Sequence, residues 1–275
     1  MNGTDLDAPL VSIIMPMYNA EQFVEHAIQS VLKQTHDNWE LIVVNDGSTD
    51  QSASRVSGFS DRRIQLIDQR NLGVSSARNR ALLEATGKYI AFLDADDWLP
   101  PRSIQARLEV FEANTSATFV DGKVWSFEDS TNQKLNYWVP QMKGAPLEDL
   151  ITIEGKAFWG PSWMIKASEL TSKFDVSLSH GEDLWFFMEL ALSPAAYYDF
   201  TEEDVLFHRV GHGSAMTNLK GLEKGYHGIY QRLQQKESTN IQVKQFRSKA
   251  RSIMIKSYLS KLQIWDALKL MWTKW

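Results

Sequence analysis

The sequence predicts an α/β fold: a Rossmann-like, mostly parallel sheet flanked by helices, with a helical extension at the C-terminal end. Three observations predict it. Between residues 9 and 100, short runs rich in β-branched residues alternate with stretches of helical periodicity, the pattern of right-handed βαβ crossovers. Several of these runs stop at turn-forming or acidic residues, where an open α/β sheet presents its ligand crevice. From about residue 218 onward only helical periodicity remains.

Residues 11–15 form the first strand, ended by Pro16, and residues 20–33 the first helix. A second strand over 41–44 runs into NDGSTD, and a third covers 64–67. Residues 74–85 carry helical periodicity and stop at Thr86-Gly87. The fourth strand, 89–93, leads directly into an acidic cluster, Asp94, Asp96 and Asp97. After Pro100 and Pro101 a helix reaches about Asn114, followed by extended pieces at 117–127 and 135–139. Residues 158–170 and 183–192 read as helical and 204–209 as extended. Three helices follow, broken near 238–240 and at Ser260.

The 275 residues are 43% hydrophobic, enough for one large core or a core with a subdomain. The absence of Cys excludes disulfides and thiolate chemistry and fits a reducing compartment. The N-terminal stretch MNGTDLDAPL has neither the basic nor the apolar region of a signal peptide, and no apolar run is long enough to span a bilayer. A cytoplasmic location is the expectation. The net charge of −5 hides a division: residues 1–219 hold 17 basic and 31 acidic side chains, residues 220–275 hold 12 and 3. A basic tail on an acidic body meets either an anionic surface or that body itself. In its last helix, from residue 264, Ile264, Leu268, Met271 and Trp275 share a face flanked by Trp265 and Trp272, a pattern suited to a bilayer interface or to ordinary packing.

Four strand-end segments carry the chemistry. Pro16, Tyr18 and Asn19 offer a ring and turn amides to a base, or merely join strand to helix. Asp46 offers an acceptor to a pyrimidine imide N–H, or belongs to a solvated turn whose Ser48 or Asp50 caps a helix. Gly73 permits close backbone approach, and Ser75, Ser76, Arg78 and Asn79 lie at a helix start, a place for a phosphate or a carboxylate partner. Asp94, Asp96 and Asp97 repel one another unless something positive neutralises them, which suits Mg²⁺ or Mn²⁺ carrying a diphosphate. Later, Glu182 and Asp183 lie at a helix start after Ser179, His180 and Gly181, a junction that projects acids into a cleft or an acidic first turn on a helix dipole.

Together these segments resemble the family 2 inverting glycosyltransferases of GT-A fold. The resemblance rests on VSIIMPMYNA (11–20), WELIVVNDGSTD (39–50), NLGVSSARNRAL (71–82), GKYIAFLDADDW (87–98) and HGEDLWFFMEL (180–190). It covers residues 9–215 and implies a GT-A domain over 1–217, with a nucleotide-sugar half at about 9–100 and an acceptor half at about 101–217. Residues 218–275 form a basic amphipathic helical tail.

The resemblance implies a UDP-sugar donor and a glycan or lipid-linked glycan acceptor, as in cell-surface polysaccharide synthesis. Asp46 reads the uracil, Pro16, Tyr18 and Asn19 line the base site, and Asp94 and Ala95 lie near the ribose. Asp96, with Asp94, holds Mn²⁺ or Mg²⁺. Asp183, beside Glu182, is the general base. In VLFHRVGHGSAM (205–216), Arg209 and Ser214 align with a diphosphate-holding segment, and His208 and His212 are candidate metal ligands although the match there is imperfect. Trp159 and Ser162 sit in a rigid WGPSW segment that suits an acceptor sugar or core packing.

A dinucleotide oxidoreductase needs a glycine-rich turn after the first strand, which PMYNAEQF lacks. A nucleotidyltransferase needs a Gly- and Arg-rich first loop, also missing. A non-catalytic nucleotide-sugar scaffold docked at a membrane is the alternative, opposed by the intact Asp96 and Asp183. The acidic body argues against nucleic acid as a partner. The tail is expected to bring the protein to the cytoplasmic face of the inner membrane.

Overall fold

The computed structural model describes residues 8–128, 133–211, 218–236 and 240–272. A sheet of eight strands organises them. Its parallel part places β1 (Val11–Met17) between β2 (Trp39–Asp46) and β4 (Tyr89–Phe92), with β3 (Ile64–Gln69) outside β2. β1 is buried along its whole length because both faces are covered. Ile14 faces one hydrophobic cluster and Ile13 and Met15 the other, the period-two alternation of a strand. The helices α1 (Val24–Leu32), α2 (Ser52–Ser57) and α3 (Val74–Glu84) connect these strands.

After α4 (Ser103–Ala113) the sheet becomes mixed. β5 (Phe119–Glu128) pairs antiparallel with β6 (Lys134–Trp138) and parallel with β8 (Tyr198–Val210). Gly122 lets β8 approach: a Cβ there would lie 2.4 Å from Val205 Cγ1. The short α5 (Leu147–Thr152) precedes β7 (Met164–Lys166), which bridges β4 and β5 through antiparallel pairs with both.

The helix expected over 158–170 is therefore corrected to a three-residue strand and a 3₁₀ turn, Ala167–Glu169. Trp163, Met164 and Ile165 are all fully buried, and the open ladder edges of β4 and β5 recruit them as extended chain. Helix α6 (Glu182–Ala191) starts one residue before its expected position.

The C-terminal helices are α7 (Leu219–Gln235), α8 (Asn240–Ser260) and α9 (Ile264–Trp272). Ile229, Tyr230 and Leu233 of α7 and Phe246 and Ala250 of α8 join the cluster that contains Phe92 of β4 and Phe186 of α6. The first part of the basic extension thus packs on the body. α9 turns Ala267 and Leu270 onto Met254 and Tyr258 of α8, while Ile264 and Leu268 are exposed. Trp275 lies outside the described residues. Among the described residues no helix is long and apolar enough to cross a membrane.

Candidate active site

The carboxyl ends of β1, β2 and β4 open onto a cleft of about 530 Å³. Its wall includes Pro16, Tyr18, Asn19, Asp46, Gly73, Asp94, Ala95 and Asp96, so eight of the residues singled out in the sequence converge there. Tyr18 is half-exposed and can present its ring to a flat ligand. Asn19 takes a left-handed backbone, φ 48°, tolerated by Asn, and it knits two loops. Its Oδ1 accepts from Thr49 N at 2.8 Å, and its own N–H donates to Ser48 Oγ at 3.0 Å. The expected amide donor to a base is therefore already engaged.

Asp46 is buried and braces the neighbouring loop. Its Oδ1 accepts from Gln69 Nε2 (2.7 Å) and Leu72 N (2.8 Å), and its Oδ2 from Gly73 N (2.8 Å). Three of its roughly four acceptor positions are filled from within the chain. Gly47 allows this approach, since a Cβ there would stand 2.7 Å from Asn71 N. Asp50 accepts from the N–H of Ser52 (3.0 Å) at the start of α2.

Two residues of α3 bear on the site. Ser75 is buried rather than exposed on the cleft wall, and its Oγ has no hydrogen-bond partner. Arg78 is buried and, of the phosphate and carboxylate partners expected at this helix start, meets carboxylates: Nη2 donates to Asp94 Oδ1 at 2.9 Å and Nη1 to Glu182 Oε1 at 3.3 Å. One guanidinium thereby joins the cleft wall to the first turn of α6.

Asp183 follows Glu182 on that turn. Burial, then the charge of Glu182, push its carboxyl up to about 6, against the opposing charge of Arg78. Helix α7 packs behind this turn at glycine distance. A Cβ on Gly225 would lie 2.3 Å from His180 O, and one on Gly221 2.3 Å from His180 Cε1. Arg232 of α7 secures the preceding loop, with Nε to Asp175 Oδ2 and Nη2 to Ser177 Oγ, both 2.6 Å. The charge of Asp183 also helps burial raise the Tyr226 phenol of α7.

His208 is placed beside the acidic loop, but its Nδ1 is engaged by Asp97 Oδ1 at 3.1 Å. Burial acts to lower the His208 imidazole, and the hydrogen bond and charge of Asp97, with Asp96 and Asp94 beyond, overcome it and raise it. Asp97 itself is pushed up to about 6 by burial, against the hydrogen bond and charge of His208. Arg209 donates through Nε to Asp96 O (3.0 Å) and through its backbone N to Asp97 Oδ1 (2.8 Å), its guanidinium lying over Phe23 and Trp98. His212 and Ser214 lie outside the described residues.

Among the described residues no three His, Asp or Glu side chains converge as a metal cage, and His208, a candidate ligand, has its Nδ1 engaged by Asp97. Two partly exposed carboxylates on the cleft wall, Asp94 and Asp96, do fit a hard divalent cation that shares its coordination with a ligand's phosphates.

The acceptor expectation divides. Trp159 packs edge-on against His208, ring centroids 4.7 Å apart, next to the acidic loop. Ser162 is corrected: it is buried, its Oγ donating to Asp121 Oδ2 at 2.9 Å and its carbonyl accepting from Arg107 Nη1 at 2.9 Å. The buried carboxylate of Asp121 captures its hydroxyl, so it offers nothing to a ligand.

The cleft also includes Phe23, Asn71 and Val74, which sequence reasoning missed. Asn71 opens the NLGVSSARNRAL segment and was discoverable there. Phe23 reaches the cleft through the fold, and nothing in its local sequence signals that.

The sequence and the fold have counterparts among known proteins. The model of the family described as Glycosyl transferase family 2 matches residues 12–170. The chain belongs to glycosyl transferase family 2.

Two curated relatives are similar to part of the chain. The UDP-Glc:α-D-GlcNAc-diphosphoundecaprenol β-1,3-glucosyltransferase WfgD of Escherichia coli is 52% identical over 96 residues, 34% of this chain and 38% of WfgD. The glycosyltransferase EpsJ of Bacillus subtilis is 40% identical over 137 residues, 49% of this chain and 39% of EpsJ. The chain thus spans well under two thirds of either relative. Among solved structures, S. aureus TarS 1–349 in complex with UDP-GlcNAc superimposes with a TM-score of 0.69 at 16% identity, covering 91% of this chain and 72% of that one. The mannosyltransferase PcManGT from Pyrobaculum calidifontis, in complex with GDP-Man and Mn²⁺, gives 0.67 at 17% identity, covering 96% and 74%. These likenesses establish that the family 2 chain has the GT-A fold.

Proposed function

We propose that this family 2 chain transfers a sugar from a UDP-sugar to a hydroxyl of a glycan or lipid-linked glycan, with inversion, using Asp183 as base. The observation that carries the proposal is the Arg78 bridge. It ties Asp94 on the cleft wall to Glu182 beside Asp183, so that donor-side carboxylates and a carboxylate of near-neutral pKa are held as one unit.

In this reading Tyr18 stacks on the base, and Asp46 shapes the 69–73 loop and keeps one acceptor position for the imide N–H. Arg209, behind the Asp96 carbonyl, contributes positive charge near the leaving group. Asp94 and Asp96 would hold Mg²⁺ or Mn²⁺, which when bound neutralises charge on the diphosphate. The PcManGT complex contains Mn²⁺ and one TarS complex contains UDP-GlcNAc, which supports the reading by analogy of fold.

Asp183 takes the acceptor proton as that oxygen attacks the anomeric carbon on the face opposite the departing UDP. A single displacement with one base inverts the configuration. A pKa near 6 leaves the carboxylate mostly ionised at neutral pH and a stronger base than an exposed aspartate. The WfgD name, a glucosyltransferase acting on a diphosphoundecaprenol-linked sugar, supports a lipid-linked acceptor. The protein then works at the cytoplasmic face of the membrane, reached through its basic helices.

The test is transfer from α-linked UDP-sugars to diphosphoprenol-linked acceptors, with the new linkage read by NMR. The proposal predicts a β-linked product; an α-linked product would overturn the single-displacement role of Asp183. UDP-sugar binding without turnover on any acceptor would favour the scaffold reading.

A further inference from the structure

The corner between α8 and α9 exposes a concentration of large apolar side chains. Leu259, Leu262, Ile264, Trp265 and Leu268 fall within ten consecutive positions, and Leu262 and Trp265 are each 84% exposed. The corner is locally fixed, not frayed. Leu262 takes φ 58°, Leu262 N donates to Leu259 O at 3.0 Å, and Gln263 N to Tyr258 O at 2.9 Å. Ala267 and Leu270 anchor α9 to Met254 and Tyr258 of α8, and this anchoring turns the Ile264, Trp265 and Leu268 face outward. Burying these side chains against α8 would require α9 to roll and give up its existing contacts.

Basic residues surround this apolar corner. Lys256, Lys261 and Lys269 are exposed beside it, and a groove of about 510 Å³ along α8 is lined by Arg247, Arg251 and Lys256 with Ser248 and Ser252. Arg251 Nη2 donates to Leu270 O at 2.9 Å, so the groove runs beside α9. Residues 220–275 hold 12 basic and 3 acidic side chains, whereas the rest of the chain is strongly acidic. An exposed apolar wedge with a cationic groove at its side matches a lipid–water interface: rings and aliphatic chains enter the acyl boundary while the cations meet phosphate. Nucleic acid fits the charge but not the apolar wedge, and a second copy of the acidic body fits the charge but leaves the groove without a phosphate.

We infer that the α8–α9 corner docks in the plane of an anionic phospholipid surface, Leu262 and Trp265 inserting and Arg247, Arg251 and Lys256 receiving headgroup phosphates. This surface does not depend on the transferase reading, since none of its residues lies in the cleft.

The test is flotation of the full chain with vesicles of pure phosphatidylcholine and of phosphatidylcholine with about 30% phosphatidylglycerol. Binding is expected only to the anionic vesicles and is expected to weaken as salt rises. The exposed pair Leu262→Glu/Trp265→Glu, and separately Arg247→Glu/Lys256→Glu, should each cut the bound fraction at least about tenfold. The thermal shift with UDP and Mn²⁺ should stay as in wild type, which separates a docking defect from misfolding and from failure of the transferase reading. Equal binding to neutral vesicles, or unchanged binding of both variants, would overturn the inference. So would vesicle binding abolished by stoichiometric duplex DNA, or a dimer in solution that both variants dissolve.

Discussion

Arg78 Nη1 reaches Glu182 Oε1 across 3.3 Å and 104 residues of sequence. The guanidinium is buried, and its other terminal nitrogen holds Asp94. Removing one member of a buried ionic cluster leaves the partners uncompensated, at about 3 kcal/mol or more. Arg78→Leu should therefore lower the melting temperature by roughly 6 °C or more. Arg78→Lys, which keeps the charge but not both contacts, should recover part of that loss.

The Asp183 carboxyl lies near 6, and a base acts only when deprotonated. Transfer, measured as kcat/KM, should rise with pH through an acid limb near 6 and then level off. Arg78 opposes the upward push of burial and of Glu182, so Arg78→Leu, which removes the charge, should move that limb upward, and Arg78→Lys, which keeps it, should move it little. A limb fixed at the same pH in Arg78→Leu would show that another group titrates.

Gly225 lets α7 lie against the His180 carbonyl, where a Cβ would be only 2.3 Å away. Gly225→Ala must displace the loop that precedes the base. Overpacking of this kind is worth about 1–3 kcal/mol, and turnover should fall more than UDP binding does. Gly160→Ala, which meets nothing within 4 Å, serves as the neutral comparison.

Asp121 makes a prediction about stability. Burial pushes its carboxyl up to about 7, against hydrogen bonds from Gly122 N, Ser162 and Tyr198 and the charge of Arg107. Between about pH 4 and 7 the folded chain holds a proton that the unfolded chain has released, so this group's contribution to stability declines as pH rises through that window. Urea unfolding at pH 5 and pH 8 should differ less for Asp121→Asn than for wild type. An equal difference would assign the pH dependence to Asp97 or Asp183.

The parallel half of the fold was legible because β1, β2 and β4 are buried on both faces and end in residues that only a strand-end loop uses, such as Asp46 and Asp94. The donor-side wall followed from the same segments. What was not legible depends on distant partners. β7 exists because β4 and β5 leave ladder edges for Met164 and Ile165, and its local pattern reads as a helix. α2 and α5 have six residues each, too few for a helical period to declare itself. Ser162 looked available until Asp121, 41 positions away, claimed its hydroxyl. The Arg78 bridge is likewise a product of tertiary folding.

The central claim is that donor binding and base catalysis reside in separate carboxylates. Calorimetric titration of UDP into wild type, Asp96→Asn and Asp183→Asn, each with and without Mn²⁺, tests it most directly. The account predicts Mn²⁺-dependent UDP binding in wild type and Asp183→Asn, weakened at least about tenfold in Asp96→Asn, with Asp183→Asn inactive in transfer. UDP binding that ignores both Mn²⁺ and Asp96, or full turnover by Asp183→Asn, would contradict it.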